Sequence, residues 1–287
     1  GVSMIHHVMV IGYGIMGSGI ARSFARGGHR VTVLSRNPGR IKRIPDGICA
    51  VSELPHEPPD LIIEAIPEDI GLKNSLFARL ESTYSDAAIL ATNTSGLSLE
   101  TMSAELQNPD RFIGIHYFHP AEMFPTVEVI LTPQTAQQTL GAVETALNRN
   151  GQQAVVLNRS IEGFLVNRLQ HAVLHEAFSM IDKGIVTAED VDRVCKTMFG
   201  PRMCVTGLLE QKDISGLNTT ASVQRTLVPL LDHSGKPVRL LQDMVAQGQI
   251  GVKSSSGFYD WHDRDVETYK KTSMDKLTRI LSILAER

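Results

Sequence analysis

Apolar and polar positions along the chain follow two different rhythms. His7-Val8-Met9-Val10-Ile11 is a continuous apolar run, as a parallel strand buried on both faces should be. A helical stretch over residues 15–26 comes next, closed by Gly27-Gly28. A second strand, over 30–34, ends at Ser35-Arg36-Asn37-Pro38 and completes one strand–helix–strand unit. Strands are predicted again over 60–66, 87–92, 111–116 and 126–131, and helices over 69–82, 97–106 and 134–150. Strands alternating with helices define a doubly wound, mostly parallel α/β sheet. Residues 37–60 break the alternation. They hold five of the 13 prolines (Pro38, Pro45, Pro55, Pro58, Pro59), which leaves room for one short helix around 39–43 and for no long helical hairpin.

Past about Asn158 the rhythm changes. Residues 163–183 form one long helical pattern, with Phe164, Leu165, Leu169, Val173, Leu174, Phe178, Met180 and Ile181 at helical spacing. Thr187-Ala188-Glu189-Asp190 reads as a helix start with Thr187 as N-cap. No strand signal of any strength follows. Two domains are expected, an α/β domain over 1–157 and an all-α domain over 158–287.

Composition narrows the class. A length of 287 residues fits two domains at roughly 100–200 residues each. With 42% hydrophobic and 21% charged residues, disordered, collagen-like and low-complexity classes are excluded. A net charge of −3 provides no basic excess for nucleic acid or an anionic membrane. No apolar run approaches the roughly 18 residues needed to span a bilayer. The first residues lead straight into a strand pattern, so no signal peptide is expected, and Gly1-Val2-Ser3 reads as a cloning remnant. Cys49, Cys195 and Cys204 are scattered, with no C-x-x-C pair, so neither a metal site nor a disulfide framework is expected. Inert thiols suit a reducing cytoplasm.

Gly12-Tyr13-Gly14-Ile15-Met16-Gly17 sits between the first strand and the helix that follows it. Alone, a G-x-G-x-x-G run is weak; in this position it is the dinucleotide fingerprint of a Rossmann-type sheet. Gly12 allows the tight turn, Gly14 lets a pyrophosphate approach the backbone, and Gly17 lets helix pack on strand. The helix N-terminus, beginning at Ile15 and Met16, faces the anion. The alternative is a glycine-rich turn with no ligand. NAD enzymes usually place a carboxylate about 20 residues on. Here Ser35-Arg36 ends the second strand instead, and a hydroxyl with a guanidinium suits a 2′-phosphate. NADP is therefore expected over NAD, unless Arg36 stacks on adenine or points to solvent.

His116 ends a predicted strand, where open α/β sheets bind ligands. Glu128 is a lone carboxylate in the apolar strand that follows, and a buried carboxylate needs a partner. Such a carboxylate fixes the tautomer and orientation of an imidazole. Beside a nicotinamide, the pair would serve alcohol oxidation or ketone reduction as base or acid. Asn93-Thr94-Ser95 follows the fourth predicted strand, either to bind a substrate oxygen or to cap the helix after it.

Taken in order, these residues resemble the 3-hydroxyacyl-CoA dehydrogenase family. The matching pieces are the glycine run, Glu64-Ala65-Ile66-Pro67-Glu68, Thr92-Asn93-Thr94-Ser95, His116-Tyr117-Phe118-His119-Pro120 and Val127-Glu128-Val129-Ile130. They continue with Gly163-Phe164-Leu165-Val166-Asn167-Arg168 and with Lys253 before Gly257-Phe258-Tyr259. The resemblance implies that His116 is the acid/base, oriented by Glu128, and that Ser95 and Asn167 bind the reacting oxygen. It implies Glu68, Lys73 and Asn93 around the nicotinamide ribose, and Lys253 on the cofactor side. It further implies hydride transfer between a (3S)-3-hydroxyacyl group and its 3-oxo form, on a small-molecule or carrier-bound acyl substrate. A homodimer through the helical domain, which also closes over the cleft, completes the expectation.

Three departures qualify the resemblance. Ser35-Arg36 replaces the usual acidic residue. His119 stands where Asn is typical, to contact an acidic substrate group, to tune His116, or as a satisfied structural histidine. Residues 37–60 are too short and proline-broken for the helical hairpin that grips CoA in the family, so a carrier-bound hydroxyacyl group or a small free hydroxy acid is expected instead. A β-hydroxyacid dehydrogenase of the 6-phosphogluconate type shares the N-terminal pattern but needs a lysine on the long helix, which here carries Asn167-Arg168 and no lysine before Lys183. A non-catalytic NADP(H)-binding protein would not need both His116 and Glu128.

Overall fold

The computed structural model describes residues 4–286; Gly1-Val2-Ser3 lies outside them. The chain divides into two compact units, Gly1–Arg168 and Leu169–Arg287. The first is built on eight strands: β1 (His7–Ile11), β2 (Arg30–Leu34), β3 (Ile48–Val51), β4 (Leu61–Glu64), β5 (Ile89–Thr92), β6 (Phe112–His116), β7 (Thr126–Ile130) and β8 (Gln153–Leu157). They lie in the order β3-β2-β1-β4-β5-β6-β7-β8. Neighbours are parallel except β6 and β7, which run antiparallel. The chain leaves β1 toward β3, then returns to β4 on the other side of β1. That reversal opens a crevice at the carboxyl ends of the strands, where such sheets bind ligands.

Period-two alternation explains the two cores. In β1, Val8 and Val10 face one side of the sheet, with Ile20 and Phe24 of α1 (Ile15–Arg26) in the same apolar cluster. Met9 and Ile11 face the other, clustered with Phe77 and Leu80 of α2 (Ile70–Tyr84) and Leu99 and Met102 of α3 (Leu99–Ala104). Val143 and Leu147 of α4 (Gln137–Arg149) complete the first cluster. Burial of one such side chain contributes about 1.5–3 kcal/mol.

Several elements differ from expectation. The strands β3 and β8 were outside the predicted set, and they are the two edges of the sheet. An edge strand has one partner and is only partly buried, as both of these are, so its apolar pattern is weak. The helix expected around 39–43 is a 3₁₀ turn over Pro38–Arg40. Ser98, not the Asn93–Ser95 run, caps α3, accepting from Thr101 N. The long helix α5 is Val166–Asp182; Gly163 and Phe164 have φ of +80° and +51°, which delays its start.

The second unit is helical. It comprises α6 (Ala188–Val194), a π-turn over Cys195–Phe199, α7 (Gly200–Thr206), α8 (Glu210–Ser215), α9 (Leu217–Leu227), α10 (Arg239–Ala246) and α11 (Val266–Ala285). Thr187 caps α6 by accepting from Asp190 N. Among its described residues Ser179 alone is fully buried, while Met203, Val205, Leu209, Ile214, Leu217 and Leu230 are exposed.

Candidate active site

The glycine turn follows β1 directly. Gly12 has φ +98°, and a Cβ there would sit 2.6 Å from Ala65 O; at Gly17 it would sit 2.0 Å from Gly12 O. Both positions therefore admit only glycine. A Cβ on Gly14 would meet nothing within 4 Å. Gly14 is the N-cap of α1 and no side chain caps that end, so the first-turn amides of Ile15, Met16 and Gly17 have no side-chain acceptor. The turn fits a dinucleotide pyrophosphate, held by backbone N–H groups and the helix dipole.

A pocket of about 510 Å³ lies beyond the end of β2, lined by Tyr13, Ser35, Arg36, Arg40, Lys42 and Arg43 among others. Among the described residues, none of the four cations forms an ion pair. Sequence reasoning singled out Ser35 and Arg36 only. The run Arg40-Ile41-Lys42-Arg43 was the available signal for the rest.

His116 and Glu128 are direct cross-strand partners in the β6–β7 register, which puts both side chains on one face. Glu128 Oε1 lies 2.9 Å from His116 Nδ1. Its other oxygen accepts from the backbone N–H groups of Leu165 (2.7 Å) and Val166 (3.3 Å) at the start of α5. Burial pushes the Glu128 carboxyl up, but the hydrogen bonds from His116, Leu165 and Val166 outweigh it and hold the group below the usual carboxylate range. The rings of Phe118 and Phe164 pack edge-on to the imidazole, with centroids at 4.7 and 5.3 Å. With Nδ1 engaged by Glu128, Nε2 is the nitrogen open to a reacting proton.

Asn93 and Ser95 lie on the loop after β5, free of helix capping. Asn93 Oδ1 accepts from Tyr117 N at 2.9 Å, tying this loop to the residue after His116. Asn167 is the second residue of α5 and half-buried. Glu68 accepts from Thr94 Oγ1 at 2.7 Å and pairs with Lys73 Nζ at 2.8 Å. The Lys73 side chain is 1% exposed, and its ammonium is shared between Glu68 and a second carboxylate, Glu64. Lys253 sits on an exposed 3₁₀ turn, Val252–Ser254, in the helical unit. His119 is exposed. Glu64 was missed as a site residue, although it ends an apolar strand just as conspicuously as Glu128 interrupts one.

A doubly wound sheet with an open glycine turn, and an imidazole–carboxylate pair at its carboxyl ends, is the architecture of a nicotinamide-dependent dehydrogenase. The chain belongs to the 3-hydroxyacyl-CoA dehydrogenase family. The family's NAD binding domain matches residues 7–54 and 50–160, and its C-terminal domain matches 163–261. The chain is 31% identical to the mitochondrial hydroxyacyl-coenzyme A dehydrogenase of Mus musculus, over 90% of this chain and 92% of that one. It is 26% identical to 5-formyl-3-hydroxy-2-methylpyridine 4-carboxylate 5-dehydrogenase of Mesorhizobium japonicum, over 99% and 100%. A crystal structure of a 5-dehydrogenase of that name, termed an NAD+ dependent dismutase, superposes with a TM-score of 0.91 at 26% identity, over 99% of this chain and 100% of that one. The 3-hydroxyacyl-CoA dehydrogenase of Archaeoglobus fulgidus superposes with 0.70 at 31% identity, over 97% and 99%. No described helix is long and apolar enough to cross a membrane.

Proposed function

We propose that this chain interconverts a hydroxyl and a carbonyl by hydride transfer on a small free carboxylic acid, with His116 as acid/base. The observation that carries the reaction type is the imidazole held at Nδ1 by Glu128, which leaves Nε2 for the substrate. Bound nicotinamide dinucleotide supplies the hydride acceptor, or the donor in reverse. His116 Nε2 takes the hydroxyl proton as the carbinol C–H leaves as hydride, and returns it in the other direction. Ser95 and Asn167 hold the reacting oxygen. Glu68 and Asn93 serve the ribose side, and Lys253 the cofactor side on the family resemblance. Phe118 and Phe164 keep water from the imidazole.

The substrate class rests on residues 37–60. They hold a 3₁₀ turn and an edge strand, with no helical pair to grip the adenine end of CoA. The Mesorhizobium relative is named for a small pyridine carboxylate, and the crystal structure that bears the same enzyme name is the better superposition of the two above. A (3S)-3-hydroxyacyl group on CoA or on a carrier protein is the second reading, favoured by the family match. The cofactor preference rests on this chain's own cations: Arg36, Arg40, Lys42 and Arg43 beside Ser35 favour the 2′-phosphate of NADP over NAD. The helical unit pairs two copies, supported by its bare apolar surface. Three unpaired cysteines fit the cytoplasm.

A panel of small oxo acids, aromatic aldehyde carboxylates and acetoacetyl-CoA, followed by NADPH and NADH oxidation, tests the substrate. A small acid should exceed acetoacetyl-CoA in kcat/KM by about 100-fold or more. Reduction of acetoacetyl-CoA with a low-micromolar KM would reverse the assignment.

A further inference from the structure

The connection between β6 and β7, residues 117–125, leads from His116 to the strand that carries Glu128, and it has no helix or strand of its own. A surface connection normally gives its carbonyls to water. Here carbonyls of this connection are taken by donors from outside it. Gln152 Nε2 donates to Ala121 O at 2.9 Å and to Phe124 O at 3.1 Å. Arg26 donates to Glu122 O at 2.7 Å, and Gln153 N donates to Pro125 O at 2.7 Å.

Gln152 is the hub of this arrangement. It lies between α4 and β8 and is 2% exposed. While its amide nitrogen serves the connection, its Oε1 accepts at 2.8 Å from Ser23 Oγ, a fully buried group on α1. A primary amide has two N–H donors and one carbonyl, so donors and acceptor alike are engaged. Arg22, beside Ser23, donates to Glu122 Oε1 from two nitrogens, at 2.8 and 3.1 Å. The connection sits this close to α1 because residue 19 is glycine: a Cβ there would lie 2.6 Å from Glu122 Oε2 and 3.0 Å from Ala121 Cβ. Phe118 belongs to the same connection, with its ring edge-on to an imidazole that is 5% exposed.

We propose that Gln152, with Arg22 and Arg26, is a positioning residue for the acid/base: it fixes the 117–125 connection on α1 and so keeps Phe118 against the His116 imidazole. Gln152 is sealed from solvent with its amide fully engaged, so it acts through the connection alone. The functional weight of the inference rests on the reading of His116 as acid/base.

Diethyl pyrocarbonate acylates a neutral imidazole nitrogen, so it reads the cover over His116 without turnover. Labelling of the intact protein is mapped by peptide mass spectrometry, with the exposed His56 as internal reference. NADPH and NADH affinities are read by fluorescence titration, and folding by thermal midpoint. Gln152→Met keeps the bulk and removes the three hydrogen bonds of the amide. His116 should then label about 10-fold faster relative to His56, with dinucleotide affinities within about 2-fold of wild type. An unchanged His116 rate overturns the proposal. A loss of dinucleotide affinity as large as the gain in labelling overturns it too, since the effect would then lie in α1 and its glycine turn. Should Gln152→Met give no thermal transition, Arg22→Ala/Arg26→Ala removes the exposed half of the same anchorage. About 3-fold faster labelling at His116 then supports the proposal, and an unchanged rate overturns it. Unchanged turnover in His116→Ala would instead remove the acid/base reading and leave the labelling comparison standing.

Discussion

A carboxylate in the middle of an apolar strand must find donors, and Glu128 finds three: one ring nitrogen and two backbone amides. The imidazole is thereby fixed from behind, and its free nitrogen is left for the substrate. His116→Ala should lower kcat by on the order of 10²–10⁴ and leave the dinucleotide Kd unchanged, as a titration beside steady-state rates would read. Unchanged turnover would remove the acid/base assignment. Glu128 also carries a pH signature. Its folded-state pKa lies below the unfolded one, so its stabilising contribution is complete above the ordinary carboxylate range. That contribution is lost as pH falls through the lowered value. Urea midpoints measured from about pH 6 to pH 3 should fall less steeply in Glu128→Gln than in wild type. Equal slopes would mean that the carboxylate is not held as described. The demand for a partner made this pair legible in the sequence. The same demand applied to Glu64, but its partner Lys73 lies on a helix, where a lysine reads as a solvated side chain.

Among elements, the segment between β2 and β4 decides most about specificity. Five prolines prevent a helical pair, and the chain forms a 3₁₀ turn and an edge strand instead. That leaves Arg36, Arg40, Lys42 and Arg43 around one pocket at the carboxyl end of β2. Arg36→Asp puts a carboxylate where a ribose 2′-OH would sit and repels a 2′-phosphate. The ratio of kcat/KM for NADPH to that for NADH should fall by about 100-fold or more. A wild-type enzyme that already prefers NADH would sink the NADP reading. Central strands and α1 were readable because each carries a full period of apolar positions. The edge strands β3 and β8 were not, because one partner and partial burial ask little of their side chains.

Across the whole molecule, the two units differ in how they bury apolar surface. The α/β unit holds two dense clusters, one on each face of the sheet. The helical unit has no fully buried apolar side chain among its described residues, and it exposes a run that includes Val205, Leu209 and Ile214. Exposed apolar side chains of this kind are what the proposed pairing of two copies would cover. Light scattering after size exclusion should give twice the mass of one chain, and Leu209→Asp/Ile214→Asp should return it to one. A monomeric wild type would leave the helical unit without the partner assigned to it.

The chain's own order of residues determined whatever depends on neighbours a few positions apart. Steric demand at Gly12 and Gly17, strand and helix periods and the proline-broken segment all act locally, and they suffice for the first strand–helix–strand unit and its anion-binding turn. They also mark His116 and Glu128 as candidates. Only the tertiary structure decided that these two face each other in register, that α5 begins on the same carboxylate, and that Lys73 is sealed between two glutamates. Those outcomes join positions 5 to 38 residues apart. Contacts across such separations leave no period in the sequence, because they are set by which strands pair and how closely the layers pack.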